Sequence, residues 1–82
     1  MTTERIQIDP AIMMGRPVIR GTRITVELIL RKLAEGTSED ELLQDYPHIM
    51  REDIRAAVAY GAASVAHEEV LFLPEQPLAS NF

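Results

Sequence analysis

Residues 15–24 of this 82-residue chain have the sequence Gly15-Arg16-Pro17-Val18-Ile19-Arg20-Gly21-Thr22-Arg23-Ile24, and a strongly helical pattern begins directly after them. Glycine reaches positive φ at little cost, whereas proline fixes φ and donates no backbone hydrogen bond. A β-branched run bordered by two glycines therefore predicts a short strand and a tight turn that ends where a helix starts.

A second strand is predicted upstream of this segment. Residues 5–9 alternate apolar and polar side chains and end at Asp9-Pro10, which is typical of a half-buried strand. Two strands alone are marginal in water, so the β-hairpin over residues 5–24 needs either the helices behind it or the strands of a second copy. We favour a second copy because so short a chain has little other surface. The predicted dimer interface consists of Ile6, Ile8, Val18 and Ile19.

Three helices are predicted after the hairpin, over residues 25–35, 38–46 and 52–66, each with apolar residues at helical spacing. Thr25 is a good N-cap for the first, and Gly36 is a good stop. Ser38 and Glu41 have the spacing of a capping box at the start of the second. The third has Met50 where a capping Ser or Thr would be expected. Its predicted inward stripe is Ile54, Ala57, Val58, Gly61, Ala62 and Val65.

These elements predict a mainly α fold, a three-helix, helix-turn-helix-like domain over residues 1–66 with a short N-terminal β-hairpin. Residues 67–82 form a predicted flexible tail, in which an apolar run precedes two prolines. Such a run suits binding to another protein, although it could also fold back on its own core or cross to a dimer mate. The residues expected to bind a partner there are Val70, Leu71, Phe72 and Leu73.

Composition narrows the class of protein. The chain has no cysteine, which excludes a disulfide framework and a thiolate metal site. It has no apolar signal segment and no stretch able to span a bilayer, so we expect a cytoplasmic protein without membrane contact. Residues 1–36 contain six Lys and Arg against four Asp and Glu, whereas residues 37–82 contain two against nine. An acidic chain is a poor generic nucleic-acid binder, because DNA affinity comes largely from neutralised phosphates.

Catalytic chemistry has no support in the sequence. His48 and His67 are separated by a whole predicted helix, no carboxylate lies at ligand spacing, and no glycine-rich phosphate-binding motif occurs. The acidic pairs fit the first turns of helices or solvated faces. We therefore expect a protein that is not an enzyme and binds no cofactor.

Five arginines are the candidate DNA contacts. Arg51 and Arg55 lie one turn apart on the third helix and could reach phosphates or a guanine edge, but Glu52 and Asp53 beside them would repel a phosphate. Arg16, Arg20 and Arg23 either tie the hairpin to carboxylates or form a basic surface that two-fold symmetry would double.

Several separated motifs together resemble a known family. They are the segment from Ile12 to Ile24, then Ser38-x-x-Glu41-Leu42-Leu43-x-Asp45-Tyr46-Pro47, then Glu52-Asp53-Ile54-x-Ala56-Ala57-x-x-Tyr60. In this order they resemble the domain-of-unknown-function family 433. Two positions depart from the family pattern, because Met14 replaces a usual glycine and Met50 a usual Thr or Ser.

The resemblance implies a homeodomain-like helix-turn-helix fold and a VapB-like antitoxin of a type II toxin–antitoxin pair. Such an antitoxin neutralises a PIN-like ribonuclease toxin and can repress its own promoter as a homodimer on operator DNA. One alternative is a standalone dimeric DNA-binding regulator. Another is a dimerisation module with no role on nucleic acid.

Overall fold

The computed structural model describes residues 4–72, with side chains described for residues 4–66. Its elements in chain order are the strands β1 (Ile6–Gln7) and β2 (Val18–Ile19) and the helices α1 (Val26–Ala34), α2 (Glu39–Asp45) and α3 (Arg51–Phe72). The prediction of a mainly helical fold with a short N-terminal hairpin is confirmed.

The hairpin is short and anchored on both sides of β2. Strands β1 and β2 are antiparallel, with Ile6 opposite Ile19. On its other side, β2 forms a bridge to the start of α1, where Val18 faces Thr25. The Thr22 hydroxyl donates to the Ile19 carbonyl at 2.8 Å and accepts from the Ile24 amide at 3.0 Å. The turn therefore delivers the chain directly into α1.

The connection between the strands contains one left-handed turn. Met13, Met14 and Gly15 have φ values of 48°, 58° and 83°. Hydrogen bonds from Gly15 N to Ile12 O and from Arg16 N to Met13 O close the turn at 3.0 and 3.1 Å. Two of these residues are not glycine, so the turn carries backbone strain.

The predicted helix caps are confirmed. Thr25 accepts from the Leu28 amide through its side chain. Ser38 and Glu41 form the reciprocal capping box, with both hydrogen bonds present. Gly36 follows α1 with φ at 101°, and the Thr37 amide reaches back to the Lys32 carbonyl at 3.0 Å. These contacts satisfy backbone groups that helix ends leave unpaired.

One core joins the hairpin to all three helices. Its buried members are Ile6, Val18, Ile19, Val26, Ile29, Leu42, Ile49, Ile54 and Ala57. The inner face of the hairpin is thus covered by helices of the same chain and does not depend on a second copy for burial.

Ile8 differs from the other three residues predicted for a dimer interface, since it is 58% exposed. It lies outward because β1 ends at Gln7, before the strand alternation reaches it.

Helix α3 is longer than predicted. It runs to Phe72, six residues beyond the predicted end at Ala66, because no proline interrupts the helix before Pro74. The predicted tail residues Val70 to Phe72 therefore belong to α3 by their backbone, whereas Leu73 and the rest of the tail lie outside the described residues. No helix between residues 4 and 72 is long and apolar enough to cross a membrane.

Candidate functional site

The start of α3 is held by one carboxylate. Asp53 is 7% exposed, and its Oδ2 accepts from the Met50 amide at 2.8 Å. Its Oδ1 accepts from Nη1 of Arg5 on the segment leading into β1, at 3.0 Å. Asp53 thus forms the half of a capping box that satisfies the Met50 amide, and it also fastens the segment before β1 to α3.

Arg51 bridges α2 and α3. Its guanidinium donates to Oε1 of Glu39 and to Oδ1 of Asp40, both at 2.8 Å. The Asp40 contact, followed by the Glu39 contact, raises the pKa of Arg51 above its ordinary value, because both carboxylates favour the charged guanidinium. A phosphate would have to compete with two carboxylates for this side chain.

The other predicted DNA contacts lie in different surroundings. Arg16 forms a 3.8 Å ion pair with Glu27 on α1, and Nε of Arg20 donates to the Glu4 carbonyl. Arg23 and Arg55 are exposed, and neither forms an ion pair with any side chain described for residues 4–66. Arg55 is therefore the α3 arginine available for a phosphate, whereas Arg51 is engaged.

An apolar groove lies between α1 and α3. It has a volume of about 600 Å³, within the range of ligand-binding clefts. We call it the α1–α3 groove. Its apolar lining is Pro17, Val26, Leu30, Tyr60, Gly61 and Val65, and its polar lining is Arg16, Thr25, Glu27, Arg31 and Ser64.

The rim of the groove is rich in arginine. Glu27 pairs with both Arg16 and Arg31, so the two guanidinium groups share one carboxylate and the rim has an excess positive charge. The floor is shaped by Gly61, where an added Cβ would lie 2.6 Å from Cδ1 of Leu30. The glycine thus allows α1 and α3 to approach closely at the base of the groove.

The second half of α3 extends past the core. Among the α3 residues 51–66, whose side chains are described, Ala57 is the last that is buried, and residues 62–66 are all exposed. We call residues 62–72 the α3 arm. No charged residue occurs from Ala56 to Ala66, and Val65 is 52% exposed. The predicted inward stripe is therefore correct for Ile54 and Ala57 but wrong for Val58, Ala62 and Val65, which are exposed.

The residues 4–66 whose side chains are described include no group of His, Asp, Glu or Cys that could hold a metal ion.

The sequence did not predict the α1–α3 groove or the roles of Arg5 and Asp53. Asp53 three residues after Met50 is the spacing of half a capping box, and this signal could have identified it. The partner Arg5 has no comparable local signal.

Comparisons with known proteins agree with one another. A family model described as "Protein of unknown function (DUF433)" matches residues 6–61. The uncharacterized protein y4eO of Sinorhizobium fredii (strain NBRC 101917 / NGR234) is 36% identical over 61 residues, which are 74% of this chain and 28% of that protein. A crystal structure of a DUF433 member protein from Anabaena variabilis ATCC 29413 matches with a TM-score of 0.72 and 35% identity, covering 77% of this chain and 62% of that one. The chain thus spans less than two thirds of the length of either relative.

Proposed function

This chain belongs to the DUF433 family, and because the resemblance of its motifs implies a VapB-like antitoxin, we propose that it is the antitoxin of a type II toxin–antitoxin pair. It binds and neutralises a PIN-like ribonuclease, and as a homodimer it represses its own promoter. The observation that carries the proposal is the α3 arm, in which residues 62–66 are all exposed and the helix continues to Phe72.

The chemistry of the α3 arm fits a protein partner better than a nucleic acid. Residues 62–66 present exposed, uncharged side chains, which offer apolar area and no cation for a phosphate. An apolar helix face is a common element for insertion into a hydrophobic groove of another protein. The sequence continues with Val70, Leu71 and Phe72 inside α3, and we assign the toxin contact to these residues and Leu73.

Binding of a PIN-like ribonuclease encoded beside this chain tests the proposal. The wild-type protein should inhibit RNA cleavage at equimolar ratio, and replacing Val70, Leu71 and Phe72 together by serine should abolish inhibition. Serine at Ala59, Ala62 and Ala63 is the matched control, since these α3 residues are exposed and lie outside the assigned contact. If the two triple variants inhibited the ribonuclease equally, the toxin contact would not lie at the end of α3. No inhibition by the wild type would overturn the antitoxin function.

A standalone DNA-binding regulator is the second candidate, and the exposed Arg55 favours it. Arg55 lies in the second turn of α3, which is the helix that would enter the major groove in a helix-turn-helix protein. Arg23 is the other exposed arginine without an ion pair among the side chains of residues 4–66. The acidic residues Glu39 and Asp40 hold Arg51 and would oppose a phosphate there. DNA contact is therefore assigned to fewer residues than the sequence predicts.

A further inference from the structure

We propose that the α1–α3 groove binds residues 62–66 of the α3 arm of a second copy of this chain, so that two copies exchange this part of their arms across a two-fold axis and residues 70–72 stay available for the toxin. This interface goes beyond the antitoxin function and does not depend on it. It also replaces the hairpin as the place where two copies meet, because Ile6, Val18 and Ile19 are already buried in their own chain.

The first argument is that the arm and the groove are parts of one continuous surface. Val65 belongs to the α3 arm and also lines the groove beside Gly61 and Leu30. A two-fold interface needs one patch that is complementary to itself, so that residue i meets residue j and j meets i. The uncharged, exposed residues 62–66 beside an apolar groove satisfy this condition when two copies of α3 run antiparallel.

The second argument is charge. The groove rim has the two guanidinium groups of Arg16 and Arg31 around the single carboxylate of Glu27. The approaching α3 arm brings the C-terminal end of a helix, which has a partial negative charge, and its sequence contains Glu68 and Glu69. The basic rim comes from the N-terminal half of the chain and the acidic helix end from the other half, so two copies complement each other.

The third argument is the exposed apolar surface itself. Residues 62–66 are all exposed, and Val65 is 52% exposed at the edge of the groove. A chain of 82 residues lies close to the size at which a single core contributes only a few kcal/mol, and small domains often gain stability by association. A second copy would cover the arm and fill the groove in the same step.

Sedimentation velocity over a range of concentrations tests the interface with the full chain. The wild type should be a dimer. Val65→Lys should weaken dimerisation by roughly tenfold or more, the effect of about 1.4 kcal/mol, because it places another positive charge in the groove that Arg16 and Arg31 line. Ala63→Lys is the matched control, since Ala63 is exposed and lies about 200° around the helix from Gly61. Ile8→Glu probes the hairpin and should leave the dimer intact.

Arg16→Glu provides a second test that does not alter α3. Arg16 is 57% exposed, so the variant should fold, while the dimer should weaken several-fold and the wild-type dimer should weaken as salt is added. Far-ultraviolet circular dichroism confirms folding of each variant. A monomeric wild type would overturn the proposal. It would mean that the groove binds residues after 72 of its own chain or another protein. A dimer that resists Val65→Lys but dissociates with Ile8→Glu would also overturn it and place the interface at the hairpin.

Discussion

Arg5 and Asp53, 48 residues apart, form a 3.0 Å ion pair in which the carboxylate is almost fully buried. The same carboxylate caps α3 through the Met50 amide. A single side chain therefore joins the first strand to the last helix and begins that helix.

Replacing Asp53 by alanine should lower the free energy of unfolding by about 2 kcal/mol, since it removes an N-terminal capping bond and a charge-assisted hydrogen bond together. Urea denaturation measures the loss. Glu52→Ala is the control, because Glu52 occupies the same first turn of α3 and is exposed, and it should change stability by less than about 0.5 kcal/mol. Equal effects of the two variants would mean that Asp53 acts only through the helix dipole.

Ile19→Glu should prevent stable folding. Ile19 is 2% exposed, and a carboxylate placed there without a partner should cost more than about 3 kcal/mol. Ile8→Glu, in the same hairpin, should retain wild-type stability within about 0.5 kcal/mol because Ile8 is largely exposed. Thermal melts followed by circular dichroism compare the two. A folded, monomeric Ile19→Glu protein would instead place Ile19 at a contact between copies.

Met14→Gly should stabilise the protein by about 0.5 kcal/mol. Relief of left-handed strain contributes roughly 1 kcal/mol, and the greater freedom of glycine in the unfolded chain offsets part of it. The side chain is 86% exposed, so its removal loses little packing. Met14→Val should be destabilising, because β-branched residues tolerate positive φ poorly. A shift of the denaturation midpoint in the same direction for both variants would contradict the assigned backbone strain.

Two glycines should respond differently to alanine. At Gly61 the new Cβ would meet the flexible end of Leu30 at 2.6 Å, but alanine favours the helix by about 1 kcal/mol, so the net change should stay within about 1 kcal/mol. Gly36 has open space around it but a φ of 101°, and alanine there should cost about 1 kcal/mol or more from strain alone. Denaturant titration of both variants checks the order. A larger loss at Gly61 would show that Leu30 cannot move toward the groove.

Arg55→Ala should reduce the salt dependence of promoter binding, lowering the slope of log affinity against log salt by about one. Arg51→Ala should leave that slope unchanged, because its guanidinium is held by Glu39 and Asp40. Fluorescence anisotropy with promoter DNA at several salt concentrations measures both. A reduced slope for Arg51→Ala and none for Arg55→Ala would reverse the assignment, and no promoter binding by the wild type would remove autorepression from the proposal.

Contacts between near neighbours could be predicted from the sequence, and distant ones could not. The caps at Thr25 and Ser38 depend on residues within one helical turn, so spacing alone was sufficient to predict them. Arg51 reaches residues 11 and 12 positions away, and its partners depend on how α2 packs against α3.

The prediction that the apolar stripe of α3 is buried along its whole length was wrong for a related reason. Periodicity shows which residues share a helix face, but it does not give the length of the neighbouring helix. Helix α1 ends at Ala34 after nine residues, so Val65 remains exposed on the face that buries Ile54. The groove followed from this mismatch in length and had no signal of its own.

The covering of Ile6 by α3 also has a consequence for synthesis on the ribosome. The strand is made first, yet the helix that completes its core begins 45 residues later, at Arg51. At about 5–20 residues per second, roughly 2–9 s pass before the two can meet. During that interval the apolar side chains of β1 and β2 are exposed. Chaperones, or a partner protein translated nearby, can bind these side chains before α3 covers them.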